Sequence, residues 1–152
     1  MTPLFRKLNL GTHARVCVLD APASFAPELA ALVAAGIAVE RVPPERCGFA
    51  LAFAVTQAQL DAASAALARA CAGDAVLWVA YPKGSSRNYR CEFNRDRGWH
   101  VLGAAGFEPV RQVAIDADWS ALRFRRVEHI RALVRDPARR IAPAGRTPGV
   151  DG

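Results

Sequence analysis

Apolar residues in this chain fall into short continuous runs separated by segments of helical period. "ARVCVLDAP" (14–22) is apolar without alternation and stops at Pro22, so it predicts a buried strand and a turn. Ser24 can cap a helix over "FAPELAALVAAG", with Pro27 in its first turn and Gly36 ending it. "IAVERV" (37–42) predicts a short second strand, stopped by Pro43 and Pro44. "GFALAFAVT" (48–56) predicts a third strand, and Thr56 then caps a helix over 57–71 that carries Leu60, Ala63 and Leu67 on one face. Gly73 ends that helix, and "DAVLWVAYP" (74–82) is the fourth strand. After a basic loop, "RDRGWHVLGAAG" predicts a helix broken at Gly106. "FEPVRQVAID" (107–116) and "WSALRFRRVEHI" (119–130) predict two strands joined by a tight turn at Asp116–Asp118. Leu122 and Phe124 alternate with Arg123 and Arg125, the pattern of an edge hairpin.

Strands alternating with helices predict an α/β fold: a three-layer, Rossmann-like, mostly parallel sheet ending in an antiparallel β-hairpin. Residues 1–135 are expected to form one domain, and the basic stretch 136–152 has the composition of a disordered tail. Hydrophobic residues make up 52% of the 152, enough for a core. The sequence shows no membrane-spanning run and no signal peptide, so a soluble cytoplasmic protein is expected.

The formal charge is +6, and residues 1–75 contribute none of it, with six basic and six acidic side chains. The basic excess is nearly all Arg, which suits phosphates and carboxylates but also follows from an Arg-rich genome. Cys17, Cys47, Cys71 and Cys91 form no C-x-x-C pair, and no His stands at ligand spacing, so neither zinc nor a disulfide framework is expected. Cys17 reads as a buried structural thiol. His13, His100 and His129 have no triad partner, and no nucleophile elbow occurs.

Two resemblances add to this reading. "GAAGFEPVRQVAIDADWSALRFRRV" resembles the last helix and hairpin of the S-adenosylmethionine-dependent methyltransferases. That family carries a glycine-rich loop after its first strand, where bare backbone meets the cofactor. This chain has "VLDAPASF" there, and Glu40 or Glu45 as the acidic residue after the second strand. The resemblance thus implies the fold, while no cofactor residue carries over and the cofactor stays unknown. Over residues 3–130, "PLFRKLN", "YPKGSS", "FNRDRGW" and "DWSALRFR" resemble segments of a family of small bacterial proteins known only as uncharacterised, which implies no activity.

In open parallel sheets, ligands bind beyond the carboxyl ends of the strands. Asp20–Ser24, Thr56–Gln57, Tyr81–Arg90 and Asp116–Trp119 are expected there. In "YPKGSSR", Pro82 stops the strand and Gly84 permits close backbone approach or a positive φ. Lys83, Ser85, Ser86 and Arg87 offer donors that can hold a phosphate or carboxylate, although the hydroxyls of an ordinary loop also satisfy their own backbone. Asn94 or Asp96 can cap the next helix, Trp99 reads as core, and Arg95 and Arg97 can extend an anion site. Asp116 and Asp118 can bind a cation or act as acid and base, but Asp is also what a hairpin turn requires. Trp119 can stack on a flat ligand or cover the hairpin.

The candidate ligand residues are therefore Asp20, Tyr81, Lys83, Gly84, Ser85, Ser86, Arg87, Asp116 and Trp119, with Asp20 and Trp119 flanking one cleft. No metal is expected. The leading reading is a non-catalytic domain that binds a small anionic ligand or a protein partner. The alternative is a divergent S-adenosylmethionine-dependent methyltransferase-like enzyme. The third is nucleic-acid binding through Arg123, Arg125, Arg126, Arg131, Arg135, Arg139 and Arg140, interrupted by Glu128 and Asp136. Nothing in the sequence selects an oligomeric state.

Overall fold

The computed structural model describes residues 2–130; the tail at 136–152 and the four arginines from Arg131 to Arg140 lie outside them. Six strands form one sheet: β1 (Arg15–Leu19), β2 (Ala38–Glu40), β3 (Phe49–Phe53), β4 (Val76–Pro82), β5 (Phe107–Ala114) and β6 (Trp119–Arg126). Their order is β2-β1-β3-β4-β6-β5. The first four run parallel. β6 pairs antiparallel with both β4 and β5, closing the sheet with the expected hairpin.

Every residue of β3 and β4 is buried, as the unbroken apolar runs require of strands covered on both faces. Helices α1 (Pro3–Lys7) and α2 (Ala26–Ala34) cover one face. Helices α3 (Gln57–Ala70) and α4 (His100–Ala104) cover the other. This is the three-layer, Rossmann-like architecture.

Helix α3 starts on a complete capping box. The Thr56 hydroxyl accepts from the Gln59 N–H at 3.1 Å, and the Gln59 side chain accepts from the Thr56 N–H at 3.0 Å. Its apolar face buries Leu60, Ala63 and Leu67 as expected.

Several local expectations are corrected. Ser24 caps nothing: Ala23–Phe25 form a 3₁₀ turn first, and α2 begins at Ala26 without a side-chain cap. The helix expected over 95–106 shrinks to five residues, because Gly98 at φ +105 cannot continue a helix. Asn94 instead accepts from the Asp96 N–H at 2.8 Å, holding a turn rather than a helix. The last strand ends at Arg126, and a 3₁₀ turn occupies Val127–His129.

The N-terminal segment falls inside the expected domain, although the sequence pattern predicts no element before residue 14. Thr2 caps α1 by accepting from the Phe5 N–H, and Phe5, Leu8 and Leu10 are fully buried on the sheet. The Trp78 indole donates to the Leu8 carbonyl at 2.8 Å and ties this segment to the central strand β4.

Candidate functional site

Strand β4 ends at Pro82, and the chain then wraps around the carboxyl end of the sheet. A hydrogen bond from the Lys83 N–H to the Asp118 carbonyl, 2.7 Å, fixes the start of this loop to the hairpin. The Asp118 carboxylate accepts from the Ser86 hydroxyl at 2.8 Å and from the Asn88 amide at 3.1 Å. Ser86 Oγ in turn accepts from the N–H groups of Asn88 and Tyr89, each at 3.2 Å. Ser86 and Asp118 are thus one polar clasp between the loop and the hairpin.

Removal of that clasp leaves a carboxylate oxygen and two backbone N–H groups short of a partner. Ser86→Ala is expected to lower stability by about 1–2 kcal/mol. A urea titration followed by circular dichroism checks this, and no change would show that water replaces the clasp without loss.

Further along, the Gln57 side chain donates to the Gly98 carbonyl at 2.8 Å and to Asp61 at 2.9 Å. The Gln57 N–H donates to Glu92 at 2.9 Å. Phe93, Trp99 and Tyr81 pack as a ring cluster, with Phe93 and Trp99 edge-on at 5.2 Å and Tyr81 and Trp99 at 5.7 Å. Both ends of the 83–97 segment are therefore anchored, and a cleft of about 610 Å³ opens between it and the hairpin.

Tyr81, Gln112 and Ser120 lie along this cleft, and Gln112 donates to the Tyr81 hydroxyl at 3.0 Å. Burial pushes the Tyr81 phenol up, so it stays a neutral hydroxyl at neutral pH. Lys83, Arg90, Arg95 and Arg97 line the walls, with Glu92 the one acidic residue among the lining. None of the four cations forms an ion pair among the described residues. Cys91 also lines the cleft, and burial pushes its thiol up.

The structure thus gathers Tyr81, Lys83, Gly84 and Ser86 from the expected set. Gly84 needs no positive φ, and a Cβ there would meet nothing within 4 Å. Ser85 and Arg87 are exposed and stand outside the lining. Asp20 also stands outside it, at the end of β1 with φ +56, because β3 lies between β1 and β4.

Asp116 is a turn residue: its Oδ1 accepts from the N–H groups of Asp118 and Trp119, at 2.8 and 2.9 Å. Trp119 is 2% exposed and packs between Phe53 and Tyr89, so it covers the hairpin and has no face free for a ligand. Gln112 and Ser120 are cleft residues that the sequence reading missed, and Arg90, at the end of the expected Tyr81–Arg90 segment, lines the cleft without having been named as a ligand residue. For the two hairpin residues the signal is register, since Tyr81 pairs with Ser120 and β5 carries Gln112 alongside.

Of the proposed basic stripe, Arg125 is bound to Asp74 at 2.9 Å, and that guanidinium holds the Asp74 carboxyl below its usual value. Arg126 donates to the carbonyls of Ala68, Ala105 and Cys71 and stacks on Phe107 at 4.4 Å. Both guanidinium groups already serve the fold.

The end of β1 bears on cofactor binding. An S-adenosyl cofactor in the pose usual for this fold needs bare backbone after the first strand. Positions 21–24 are Ala-Pro-Ala-Ser, so Cβ atoms and a proline without an N–H stand there, folded into the 3₁₀ turn. Glu40, the acidic residue at the end of β2, is held by the Arg15 guanidinium at 2.7 Å. These residues do not fit the cofactor in that pose.

Among solved structures, the fold is similar to a SAM dependent methyltransferase from Aquifex aeolicus. The TM-score is 0.58 at 15% identity, covering 80% of this chain and 86% of that one. The N-methyltransferase NodS from Bradyrhizobium japonicum WM9 matches with a TM-score of 0.53 at 13% identity, covering 81% of this chain and 92% of that one. The pyocyanin biosynthetic protein PhzM matches at 0.52 and 15% identity, covering 80% of this chain and 52% of that one. The chain therefore has a methyltransferase-like Rossmann fold, and at these identities the likeness speaks to fold alone. No family model matches the sequence, and no match is found among curated proteins. No helix among the described residues is long and apolar enough to cross a membrane.

Proposed function

We propose that the protein is a divergent methyltransferase-like domain that binds a small phosphate- or carboxylate-bearing molecule between the 83–97 segment and the β5–β6 hairpin. One observation carries the reading. Lys83, Arg90, Arg95 and Arg97 surround a single cleft of about 610 Å³ at the carboxyl end of a central strand. That volume suits a small ligand, and its position is where open parallel sheets bind theirs. Guanidinium forks and an ammonium group recognise an anion, while the Tyr81 hydroxyl and Ser120 supply neutral partners beneath it.

Methyl transfer with S-adenosylmethionine is the second reading. The fold likeness supports it more than it supports a strictly non-catalytic domain, for which no separate observation speaks. The altered end of β1 argues against the usual cofactor pose, and no residue is assigned to the cofactor.

Calorimetry with small phosphates and carboxylates, S-adenosylmethionine and S-adenosylhomocysteine separates the readings. An anion is expected to bind, and Lys83→Ala should weaken it about ten- to a hundredfold, the equivalent of one charge-assisted hydrogen bond of roughly 1.5–3 kcal/mol. Arg69→Ala, on α3, should leave the affinity unchanged. S-adenosylmethionine is expected to show no stoichiometric binding. Tight binding of that cofactor, insensitive to Lys83→Ala, would replace the first reading with the second. An anion that binds the folded Lys83→Ala variant as well as wild type would reduce this loop to a connector.

A further inference from the structure

The cleft between the 83–97 segment and the hairpin has two chemically different walls. Among the described residues, all of its charged side chains stand on the segment: Lys83, Arg90, Arg95 and Arg97, with Glu92 as the one acid. The strands contribute only uncharged side chains, Tyr81 and Pro82 from β4, Gln112 from β5 and Ser120 from β6.

The strand wall carries two hydroxyl groups with unused bonding capacity. Tyr81 and Ser120 are direct partners in the antiparallel register, so their side chains leave the same face of the sheet. They are only 5% and 6% exposed, yet both line the cleft. The Tyr81 hydroxyl accepts from the Gln112 amide at 3.0 Å, and its own proton has no acceptor among the described residues. Burial keeps that phenol protonated, against the smaller opposing pull of the Arg95 guanidinium. The Ser120 hydroxyl has no hydrogen-bond partner among the described residues. Buried polar groups are as a rule paired, so these two call for an oxygen from outside the chain.

The chemistry of that oxygen follows from the wall. A ligand hydroxyl can accept from Tyr81 and donate to Ser120 Oγ at once. A carboxylate or phosphate placed there would give up its solvation with no cation on that wall. An alkyl group would displace solvent and leave both hydroxyls unpaired. Lys83 stands two residues beyond Tyr81, a rise of roughly 7 Å in extended chain. The anion and the hydroxyl of one ligand therefore lie a few bonds apart.

We propose that Ser120 and Tyr81 make the cleft selective for a small hydroxylated anion, one whose hydroxyl lies a few bonds from its phosphate or carboxylate. The inference rests on the anion-binding reading above and adds the second group of the ligand that is recognised. The anion lies against the cations of the 83–97 segment, and the hydroxyl lies against the strands.

The test is calorimetry with matched pairs: glycerol 3-phosphate with n-propyl phosphate, and glycerate with propionate. The two pairs distinguish phosphate from carboxylate as the anion. In at least one pair, wild type is expected to bind the hydroxylated member about tenfold more tightly or better. Ser120→Ala and Tyr81→Phe, each with an unchanged circular dichroism spectrum, should bring that ratio to within about twofold by weakening the hydroxylated member alone. Lys83→Ala should weaken both members equally and keep the ratio. Because the ratio is taken within one variant, a general loss of folded protein does not imitate the effect. Equal affinity of wild type for the two members of each pair, or a ratio that survives in either folded variant, would overturn this inference and leave the anion reading standing. Ligands that bind Lys83→Ala as tightly as wild type, or failure of all four to bind, would overturn the anion reading and this inference with it.

Discussion

Gly98→Ala is expected to lower the stability of the domain by about 2–5 kcal/mol and to loosen one wall of the basic cleft. Two separate effects combine. Gly98 has φ +105, a conformation that an L side chain rarely adopts. An added Cβ would also stand 2.6 Å from the Phe93 Cβ and 2.8 Å from Gln57 Oε1. Phe93 cannot yield easily, since it is buried against Trp99 and Tyr81. Gln57 cannot rotate away without breaking its bond to the Gly98 carbonyl. Urea denaturation of Gly98→Ala beside Gly84→Ala measures the effect, because position 84 has open space for the same methyl group. Gly84→Ala should fall within about 0.5 kcal/mol of wild type. If Gly98→Ala does so too, the tight contact is relieved by backbone movement and does not hold the cleft wall.

Gly98 also shows why the chain around the cleft is harder to read than the sheet. The runs that became β1, β3 and β4 are apolar at successive positions because helices cover both faces, so local pattern and burial coincide. Thr56 and Gln59 announce α3 in the same direct way. The apolar positions of "RDRGWHVLGAAG" fit a helix equally well, but pattern alone does not reveal that position 98 takes a positive φ. Helix α1 is five residues long, too short to display a period, and its place is set by Trp78, seventy residues away.

The candidate site follows the same division. Lys83, Gly84 and Ser86 could be placed because Pro82 visibly ends a strand at the ligand-binding edge. Asp20 could not be excluded without the strand order: β3 separates β1 from β4, which puts the two strand ends roughly 10 Å apart at about 4.8 Å per neighbour. Trp119 pairs with Pro82 but packs on the face holding Phe53, opposite Tyr81, so adjacency in register did not become adjacency in the cleft. Arg95 and Arg97 were legible as charge, while Gln112 and Ser120 become cleft residues only through the hairpin register.

Trp78→Ala is expected to cost about 3–5 kcal/mol from lost packing alone. Trp78 is completely buried at the centre of β4, between Leu51 of β3 and Arg123 of β6. Its indole packs on the face that receives Phe5, Leu8 and Leu10, and its N–H satisfies the Leu8 carbonyl. Truncation removes one of the two tryptophans of that layer and leaves a buried carbonyl without its donor, adding roughly 1–3 kcal/mol. A domain of this size has about 5–15 kcal/mol in total, so the variant should be near its unfolding threshold at 37 °C. Trp78→Phe separates the two contributions, since it keeps a ring in the layer but no N–H. It should therefore fall between wild type and Trp78→Ala in urea. Hydrogen exchange then locates the damage: in both variants the amides of residues 5–10 should lose protection first, ahead of β3 and β4. If those amides stay as protected as the central strands, the N-terminal segment is held by its own apolar contacts, and the indole bond does not anchor it.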